Sequence, residues 1–186
     1  MNMPVESLGG ACPLLGQRVV VTGMAGAGKS TFSRRLAANT GLELIHLDLY
    51  IWAPGWVRVP PAELLETQRR LMSADAWIID SNDVDDDLLL QRADSLIILE
   101  TPWWLCSLRA FRRGLRRPRG SVLPDGCDES IRQRIIDEWG IVWRNFRRRH
   151  VVPAQDRALA ARCPEHIAVH VLSSKRDQAA LLRRMV

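Results

Sequence analysis

One run of eight residues constrains this chain more than any other. Residues 23–30 read G-M-A-G-A-G-K-S and fit the pattern G-x-x-x-x-G-K-[ST]. A β-branched run at residues 18–22 precedes them, and an amphipathic segment at residues 29–40 follows. Glycine lets consecutive backbone N–H groups turn towards one anion, and the N-terminus of a helix adds its dipole. The run predicts a strand, a phosphate-binding loop and a helix.

The side chains of this loop predict a nucleotide site. We expect Lys29 to reach the β- and γ-phosphates and Ser30 to ligate Mg²⁺. Only two of the 26 basic residues are lysines, and the compact ammonium of Lys29 fits a narrow loop better than a guanidinium would. A glycine-rich turn that binds nothing is the alternative. The expected nucleotide-binding residues are Gly23, Ala25, Gly26, Ala27, Gly28, Lys29, Ser30, Thr31, Arg112 and Arg116.

The rest of the chain alternates short apolar runs with helical patterns. We predict strands at 18–22, 43–47, 77–80, 95–99 and 166–172, and helices at 29–40, 61–74 and 83–92, with two long helices and a closing helix further on. Residues 174–177 have the spacing of a capping box for the closing helix. Such alternation predicts an α/β fold with a five-stranded parallel sheet and helices on both faces. We expect one domain over residues 1–186, with a loose N-terminus at 1–16.

Positive charge is concentrated in one segment. Residues 105–150 contain 12 arginines and 5 acids, a net charge of +7, while the rest of the chain sums to −2. Apolar residues recur at helical spacing from Trp104 and again over 131–146, with the arginines off the apolar stripe. This predicts a helical, arginine-rich lid at 105–149. A merely solvated basic face is the alternative.

We expect lid arginines to neutralise charge during phosphoryl transfer. Arg109, Arg113 and Arg116 are the candidate catalytic arginines. The four tryptophans of this region are expected to pack in the core or the lid, and they are Trp103, Trp104, Trp139 and Trp143. The charge by itself allows nucleotide phosphate, nucleic acid or a membrane surface as partner.

Several classes of protein are disfavoured. No apolar run reaches the roughly 18–20 residues of a membrane span, and residues 1–17 have no basic stretch ahead of an apolar core. The four cysteines are scattered and form no CxxC pair, which argues against a zinc site or a disulfide framework. We expect a cytoplasmic monomer with free, mostly buried thiols.

Acidic residues follow three of the predicted strands. They are Asp48, Asp80 and Glu100, and the carboxyl ends of parallel strands are where ligands bind in such sheets. We expect Asp48 to bind the phosphoryl acceptor or to accept its hydroxyl proton. Its alternatives are an N-cap or a partner for Arg58. Asp80 is the candidate for orienting Mg²⁺, and Glu100 competes for that role.

The turn at residues 52–56, W-A-P-G-W, is the candidate floor of an acceptor pocket. We place the pocket between Asp48, this turn and Asp80. The candidate substrate residues are Asp48, Trp52, Trp56, Arg58 and Asp80. The alternative is that the two tryptophans simply pack. Because acids outnumber bases there, a polar, weakly charged or cationic acceptor is favoured over a nucleoside monophosphate.

From residue 18 onwards the chain resembles the P-loop small-molecule kinases, the group that contains adenylate, shikimate and gluconate kinases. The resemblance is carried by residues 23–30, by H-L-D at 46–48 and W-A-P-G-W at 52–56, by W-I-I-D at 77–80 and by the arginine-rich segment 109–119. Within that group it is most similar to the adenylate-kinase-related FlaR-type DNA topology modulation proteins. Two departures stand out: Asp80 is followed by S-N-D rather than G-N-Y, and the G-F-P-R signature for AMP is absent.

The resemblance implies a kinase that uses ATP and Mg²⁺ to phosphorylate a small molecule. A nucleotide-dependent nucleic-acid-binding protein is the alternative, in which the segment of net charge +7 contacts phosphate backbones. Nucleotide binding without turnover is a third possibility.

Overall fold

The computed structural model describes residues 15–116 and 131–185, and within them every side chain except those of residues 56, 113–116 and 131–138. Fourteen helices and strands follow in this order: β1 (Arg18–Thr22), α1 (Lys29–Thr40), β2 (Leu44–His46), β3 (Trp52–Ala53), β4 (Val57–Arg58), α2 (Pro61–Leu71), β5 (Trp77–Asp80), α3 (Asp86–Arg92), β6 (Ser95–Leu99), α4 (Trp103–Arg116), α5 (Ile131–Arg147), α6 (Val151–Arg162), β7 (Ala168–Leu172) and α7 (Lys175–Arg183). Short 3₁₀ turns cover Leu47–Tyr50 and Pro54–Trp56.

Five strands form one parallel sheet in the order β2-β5-β1-β6-β7. In its centre Val20 is paired with Ile79 on one side and with Leu96 on the other. The strands β1, β5 and β6 consist of apolar runs that are buried almost throughout, as expected when helices cover both faces. The predicted five-stranded α/β architecture is therefore confirmed.

Two apolar clusters hold the helices against the sheet. One lies under α2 and α3 and includes the buried Leu64, Trp77 and Leu89. The other lies under α1 and α7 and includes Phe32, Leu36 and Leu181. The sheet is therefore buried on both faces, and its polar residues are concentrated at the strand ends.

Helix α6 is absent from the sequence-based prediction. None of its residues is fully buried, and Pro153 lies in its first turn, where the missing N–H costs no hydrogen bond. A helix of this kind has no strong apolar stripe for sequence analysis to detect.

The sequence also predicts that α3 begins three residues too early. The helix begins at Asp86, because Asp85 is its N-cap and accepts a hydrogen bond from the N–H of Leu88.

Other predicted details are confirmed. Ser174 and Asp177 form the capping box of α7, with each side chain accepting the other residue's backbone N–H. The 52–56 turn lies in a hairpin, because β3 and β4 pair antiparallel. Of the two cysteines that are described, Cys106 is buried and Cys163 is partly buried, and both are free thiols.

The tryptophans of the lid region make ring contacts, but most of them remain exposed. The Trp103 ring packs on Phe146 with centroids 5.5 Å apart. In contrast, the exposed fractions are 57% for Trp104, 58% for Trp139 and 61% for Trp143. Trp139 and Trp143 contact the rings of Phe111 and Phe146 and still leave most of their surface to solvent. Among the helices that the structure describes, none is long and apolar enough to cross a membrane.

Candidate functional site

The loop between β1 and α1 has the backbone geometry that its glycines predict. Gly23, Gly26 and Gly28 have φ angles of +135°, +89° and +103°, a region that side-chain-bearing residues rarely adopt. A Cβ at Gly23 would lie 2.6 Å from the carbonyl oxygen of Leu99, and a Cβ at Gly26 would overlap the carbonyl oxygen of Cys106. Glycine is therefore required at both positions by conformation and by space.

Lys29 folds back over this loop. Its ammonium donates a hydrogen bond to the Gly23 carbonyl oxygen at 2.7 Å. Burial lowers the pKa of Lys29, and the negative charges of Asp48, Asp80 and Asp156 oppose this shift. The first turn of α1 carries no acidic side chain, and Ser30 and Thr31 there are exposed. A buried ammonium beside free helix N–H groups is a site for an anion.

Asp80 ends β5 beside β2 and is paired with His46. The Nδ1 atom of His46 lies 2.7 Å from Oδ1 of Asp80, whose side chain is only 4% exposed. This hydrogen bond raises the pKa of His46, although partial burial of the ring opposes the rise. The other oxygen, Oδ2, is buried without a hydrogen-bond partner among the described residues. One Asp80 oxygen is thus held by the protein and the other has an unfilled bonding position.

Asp48 lies in the 3₁₀ turn that follows β2, where its residue surface is open to solvent. Its Oδ1 accepts a hydrogen bond of 3.0 Å from the Ser81 hydroxyl, which in turn accepts the N–H of Asp83. Desolvation by the surrounding protein raises the pKa of Asp48, and the charge of Asp80 adds to the rise while that of Lys29 reduces it. A carboxylate with a raised pKa is a stronger base than an ordinary aspartate, which suits it to accept a proton.

The sequence allows Arg58 as a partner for Asp48, but the structure does not pair these two residues. Arg58 lies on β4 and pairs with Asp83, with Nη2 3.0 Å from Oδ1. The ring of Trp52 on β3 is 37% exposed. The side chain of Trp56 lies outside the described residues.

Glu100, the competitor for the metal role, is already engaged. Its Oε1 accepts hydrogen bonds from Nε and Nη2 of Arg157, and its Oε2 accepts one from the Ser173 hydroxyl. Asp80 is therefore the better candidate, because one of its oxygens is still unpaired.

The predicted lid arginines are described only in part. Arg109 on α4 donates to the carbonyl oxygen of Ala27 in the phosphate loop at 3.3 Å. Arg112 on the same helix is exposed. The side chains of Arg113 and Arg116 lie outside the described residues. One candidate arginine thus already contacts the loop.

Three contacts in or next to the loop come from residues far along the chain, and the sequence does not predict them. The buried side chain of Asn145 on α5 donates to the Ala25 carbonyl oxygen at 2.9 Å. Thr22 donates to Asp156 on α6 across 3.5 Å. The Lys175 ammonium lies 3.7 Å from the position that a Gly28 Cβ would take. In all three the partner residues are at least 120 positions apart in the sequence, so no local motif indicated them.

No group of three or more His, Cys, Asp or Glu side chains able to hold a metal occurs within residues 15–116 and 131–185. Mg²⁺ in nucleotide sites is held mainly by phosphate oxygens and water, with one or two protein ligands. The exposed Ser30 and the unpaired Oδ2 atom of Asp80 could supply these one or two protein ligands.

Comparisons with known proteins bear on the fold. No family model and no curated protein matches the chain. A gluconokinase from Sinorhizobium meliloti 1021 superimposes with a TM-score of 0.53 at 13% identity, covering 93% of this chain and 95% of that one. A shikimate kinase from Bacteroides thetaiotaomicron gives 0.52 at 13% identity, with 90% and 95% covered. A putative kinase from Chloroflexus aurantiacus J-10-fl gives 0.50 at 19% identity, with 94% and 97% covered.

These neighbours match along nearly their whole length, and the parallel sheet with its glycine-rich loop is in place here. The chain therefore has the fold of the P-loop small-molecule kinases.

Proposed function

We propose that this protein is an ATP-dependent phosphotransferase that phosphorylates a hydroxyl group of a small molecule. The observation that carries the proposal is the convergence of Lys29, Asp48 and Asp80 at the carboxyl edge of the sheet, where both carboxylates act electrostatically on Lys29. In phosphoryl-transfer enzymes a lysine binds the phosphates, while carboxylates hold Mg²⁺ or orient the attacking group. The similarity to kinases of known structure supports this fold-based reading.

The nucleotide would be held by the loop at residues 23–31. Lys29 would leave the Gly23 carbonyl oxygen and bind the β- and γ-phosphates, while Ser30 and Asp80 would orient Mg²⁺, directly or through water. When bound, Mg²⁺-ATP supplies the γ-phosphoryl group and a cation that offsets its negative charge. Because His46 holds Oδ1 of Asp80, Oδ2 stays directed and available.

The acceptor would lie between Asp48, the hairpin β3-β4 and Asp80. Asp48 would accept the hydroxyl proton, with Ser81 fixing the orientation of its carboxylate. No cationic side chain of the described residues pairs with Asp48, and Arg58 is paired with Asp83. This charge balance favours a neutral or cationic acceptor over a carboxylate or phosphate compound.

The arginine-rich helix would complete the site. Arg109 already contacts the loop, and we propose that Arg113 and Arg116 act on the transferring phosphoryl group and that Arg112 and Arg116 bind nucleotide. Each would reach the phosphates when segment 105–149 closes over them.

A screen for ADP formation tests the proposal. Neutral and cationic hydroxyl compounds, nucleosides, nucleotides, sugars and shikimate are supplied one at a time with Mg²⁺-ATP. We expect one class to stimulate ADP formation, and Lys29→Ala to abolish both this activity and ATP binding in calorimetry. The control is Arg69→Ala, which also removes a positive charge but lies on the exposed face of α2. This variant should leave ADP formation and ATP binding unchanged. ATP affinity that survives in Lys29→Ala would refute the assignment.

One observation favours nucleic-acid binding as a second candidate function. Trp139 and Trp143 on α5 are more than half exposed, and Arg144 and Arg147 on the same helix are exposed as well. Aromatic rings among arginines can stack on bases and contact phosphates. Filter binding over a salt series tests this, with an expected slope of about −0.7 per phosphate contacted for single strands. No retention at low salt would exclude it.

A further inference from the structure

Asp156 is a titratable residue beside the phosphate-binding loop, and it has no role in the reaction proposed above. It lies in the second turn of α6, and its carboxylate accepts a long hydrogen bond of 3.5 Å from Thr22, the last residue of β1 before the loop. Its charge acts on the Lys29 ammonium together with those of Asp48 and Asp80. Thr22 directly precedes Gly23, whose carbonyl oxygen holds the Lys29 ammonium, so the Asp156 carboxylate lies beside the loop at the end where Lys29 is held.

Helix α6 is fixed in this position from several sides. Val152 packs on the cluster under α1 and α7, and Leu159, Ala160 and Cys163 pack on the cluster under α2 and α3. Three ion pairs add to this packing, because Arg157 pairs with Glu100 and Arg162 pairs with both Asp86 and Asp87. These contacts place the backbone of Asp156 beside the loop, and rotation of its side chain is the simplest way for the carboxylate to move away.

The surroundings of Asp156 already disfavour its charge. Burial raises the pKa of Asp156 to about 6, and the neighbouring charges are Lys29, which lowers it, and Glu100, which raises it. Thr22 stabilises the carboxylate through its hydroxyl. Glu100 is paired with Arg157, which weakens its repulsion of Asp156. Lys29 is therefore the main charge that keeps Asp156 ionised.

A bound nucleotide removes that attraction. Its phosphates take Lys29 as their own counter-ion and place further negative charge near the carboxylate. An opposite charge within about 4–6 Å lowers the pKa of a carboxyl group by roughly one to three units, so neutralising that charge raises the pKa again, and a nearby like charge raises it further. A carboxylate whose neighbouring cation is neutralised and which gains anionic neighbours has a higher pKa and takes up a proton more readily.

We propose that Asp156 takes up a proton from solvent when the phosphates of a nucleotide bind at Lys29, and releases it when they leave. The ionised form of Asp156 opposes nucleotide binding, so this residue sets how nucleotide affinity depends on pH. The inference rests on the proposed nucleotide site and adds to it a residue that tunes affinity.

The sign of the effect follows from linkage. A group whose pKa is higher in the complex than in the free protein favours binding at low pH, and the advantage is lost as the pH rises through the pKa of the complex. Removing the charge with Asp156→Asn should raise affinity at pH 8. Between pH 6 and pH 8 the ratio of variant to wild-type affinity should rise by roughly fivefold or more.

Calorimetry with β,γ-imido-ATP and Mg²⁺ tests the proposal without turnover. Titrations at pH 7 in buffers of different ionisation enthalpy give the number of protons taken up. The nucleotide's own titration is common to both proteins, so the comparison isolates Asp156. Wild type should take up roughly half a proton more than Asp156→Asn, because its carboxyl passes from mainly ionised to mainly protonated.

The control is Glu66→Gln, which removes a carboxylate from the exposed face of α2 and should behave as wild type. Thermal unfolding at pH 7 should show Asp156→Asn to be as stable as wild type, because the variant avoids burying a charge. Equal proton uptake in wild type and Asp156→Asn, or weaker binding by the variant at pH 8, would overturn the inference and leave the nucleotide site standing. Absence of nucleotide binding in wild type would overturn both proposals.

Discussion

The imidazole of His46 holds one oxygen of the buried Asp80 at 2.7 Å, although the two residues are 34 positions apart in the sequence. They meet because β2 and β5 are adjacent parallel strands with His46 and Asp80 in register. A charged imidazole beside a buried carboxylate partly offsets the cost of burying that charge. The pair also fixes which Asp80 oxygen is free for a ligand.

We predict that this pair makes stability depend on pH. The pKa of His46 is raised in the folded protein, so its contribution is fully present below the unfolded value of about 6.5 and is lost as the pH rises through the folded value. Urea unfolding of wild type and His46→Gln in metal-free buffer, from pH 5.5 to 9, measures this. The stability difference should shrink as the pH rises. A constant difference would show that His46 contributes only by packing.

Ser81→Ala should shift the pH profile of acceptor turnover. The Ser81 hydrogen bond lowers the pKa of Asp48, so its removal should raise that pKa further. If Asp48 is the base, the acidic limb of kcat/KM moves to higher pH in Ser81→Ala, and Asp48→Asn lowers the rate by about 10²–10⁴-fold. Steady-state rates from pH 5 to 9 provide the check. An unmoved limb, or a rate within threefold of wild type in Asp48→Asn, argues against a base at this position.

Gly26→Ala and Gly41→Ala form a matched pair. Both glycines have positive φ, but a Cβ at Gly26 would overlap the Cys106 carbonyl oxygen, whereas nothing lies within 4 Å of one at Gly41. We expect Gly41→Ala to cost about 1–2 kcal/mol of stability and to leave nucleotide affinity unchanged. Gly26→Ala should cost more and abolish nucleotide binding. Denaturant unfolding and calorimetry distinguish them, and normal affinity in Gly26→Ala would contradict the loop assignment.

Asp94 should stabilise the fold in a manner lost in acid. Its carboxylate accepts hydrogen bonds from the backbone N–H and the guanidinium of Arg18, and these lower the pKa of Asp94 below its model-peptide value. The contribution is present above the unfolded pKa of about 3.9 and disappears as the pH falls through the folded value. Asp94→Ala should cost about 1–3 kcal/mol at pH 7. Equal stability of the two proteins at pH 7 would show that solvent screens the pair.

Nucleotide should slow hydrogen exchange in segment 105–149. The predicted lid gains contacts when its arginines meet phosphates, while clustered guanidinium groups repel one another without ligand. Exchange followed by mass spectrometry, with and without β,γ-imido-ATP and Mg²⁺, should show protection there and little change in α2. Equal exchange in both states would remove the lid from the mechanism.

The sequence determined most of the fold because the relevant signals are local. Continuous apolar runs are typical of strands buried on both faces, and this placed β1, β5 and β6 correctly. The capping box of Ser174 and Asp177 spans three residues and needs no tertiary partner to be recognised. Helix α6 escaped prediction because none of its residues is fully buried and it has no continuous apolar stripe.

The sequence by itself determined the phosphate loop. The loop requires positive φ angles at Gly23, Gly26 and Gly28, and glycine adopts such angles without steric cost. Only the tertiary structure decided which side chains surround Lys29. Strand order brought His46 to Asp80, and α6 brought Asp156 to Thr22 across 134 residues. Hydrogen-bond partners and pKa shifts depend on distances through space, which residue spacing along the chain does not encode.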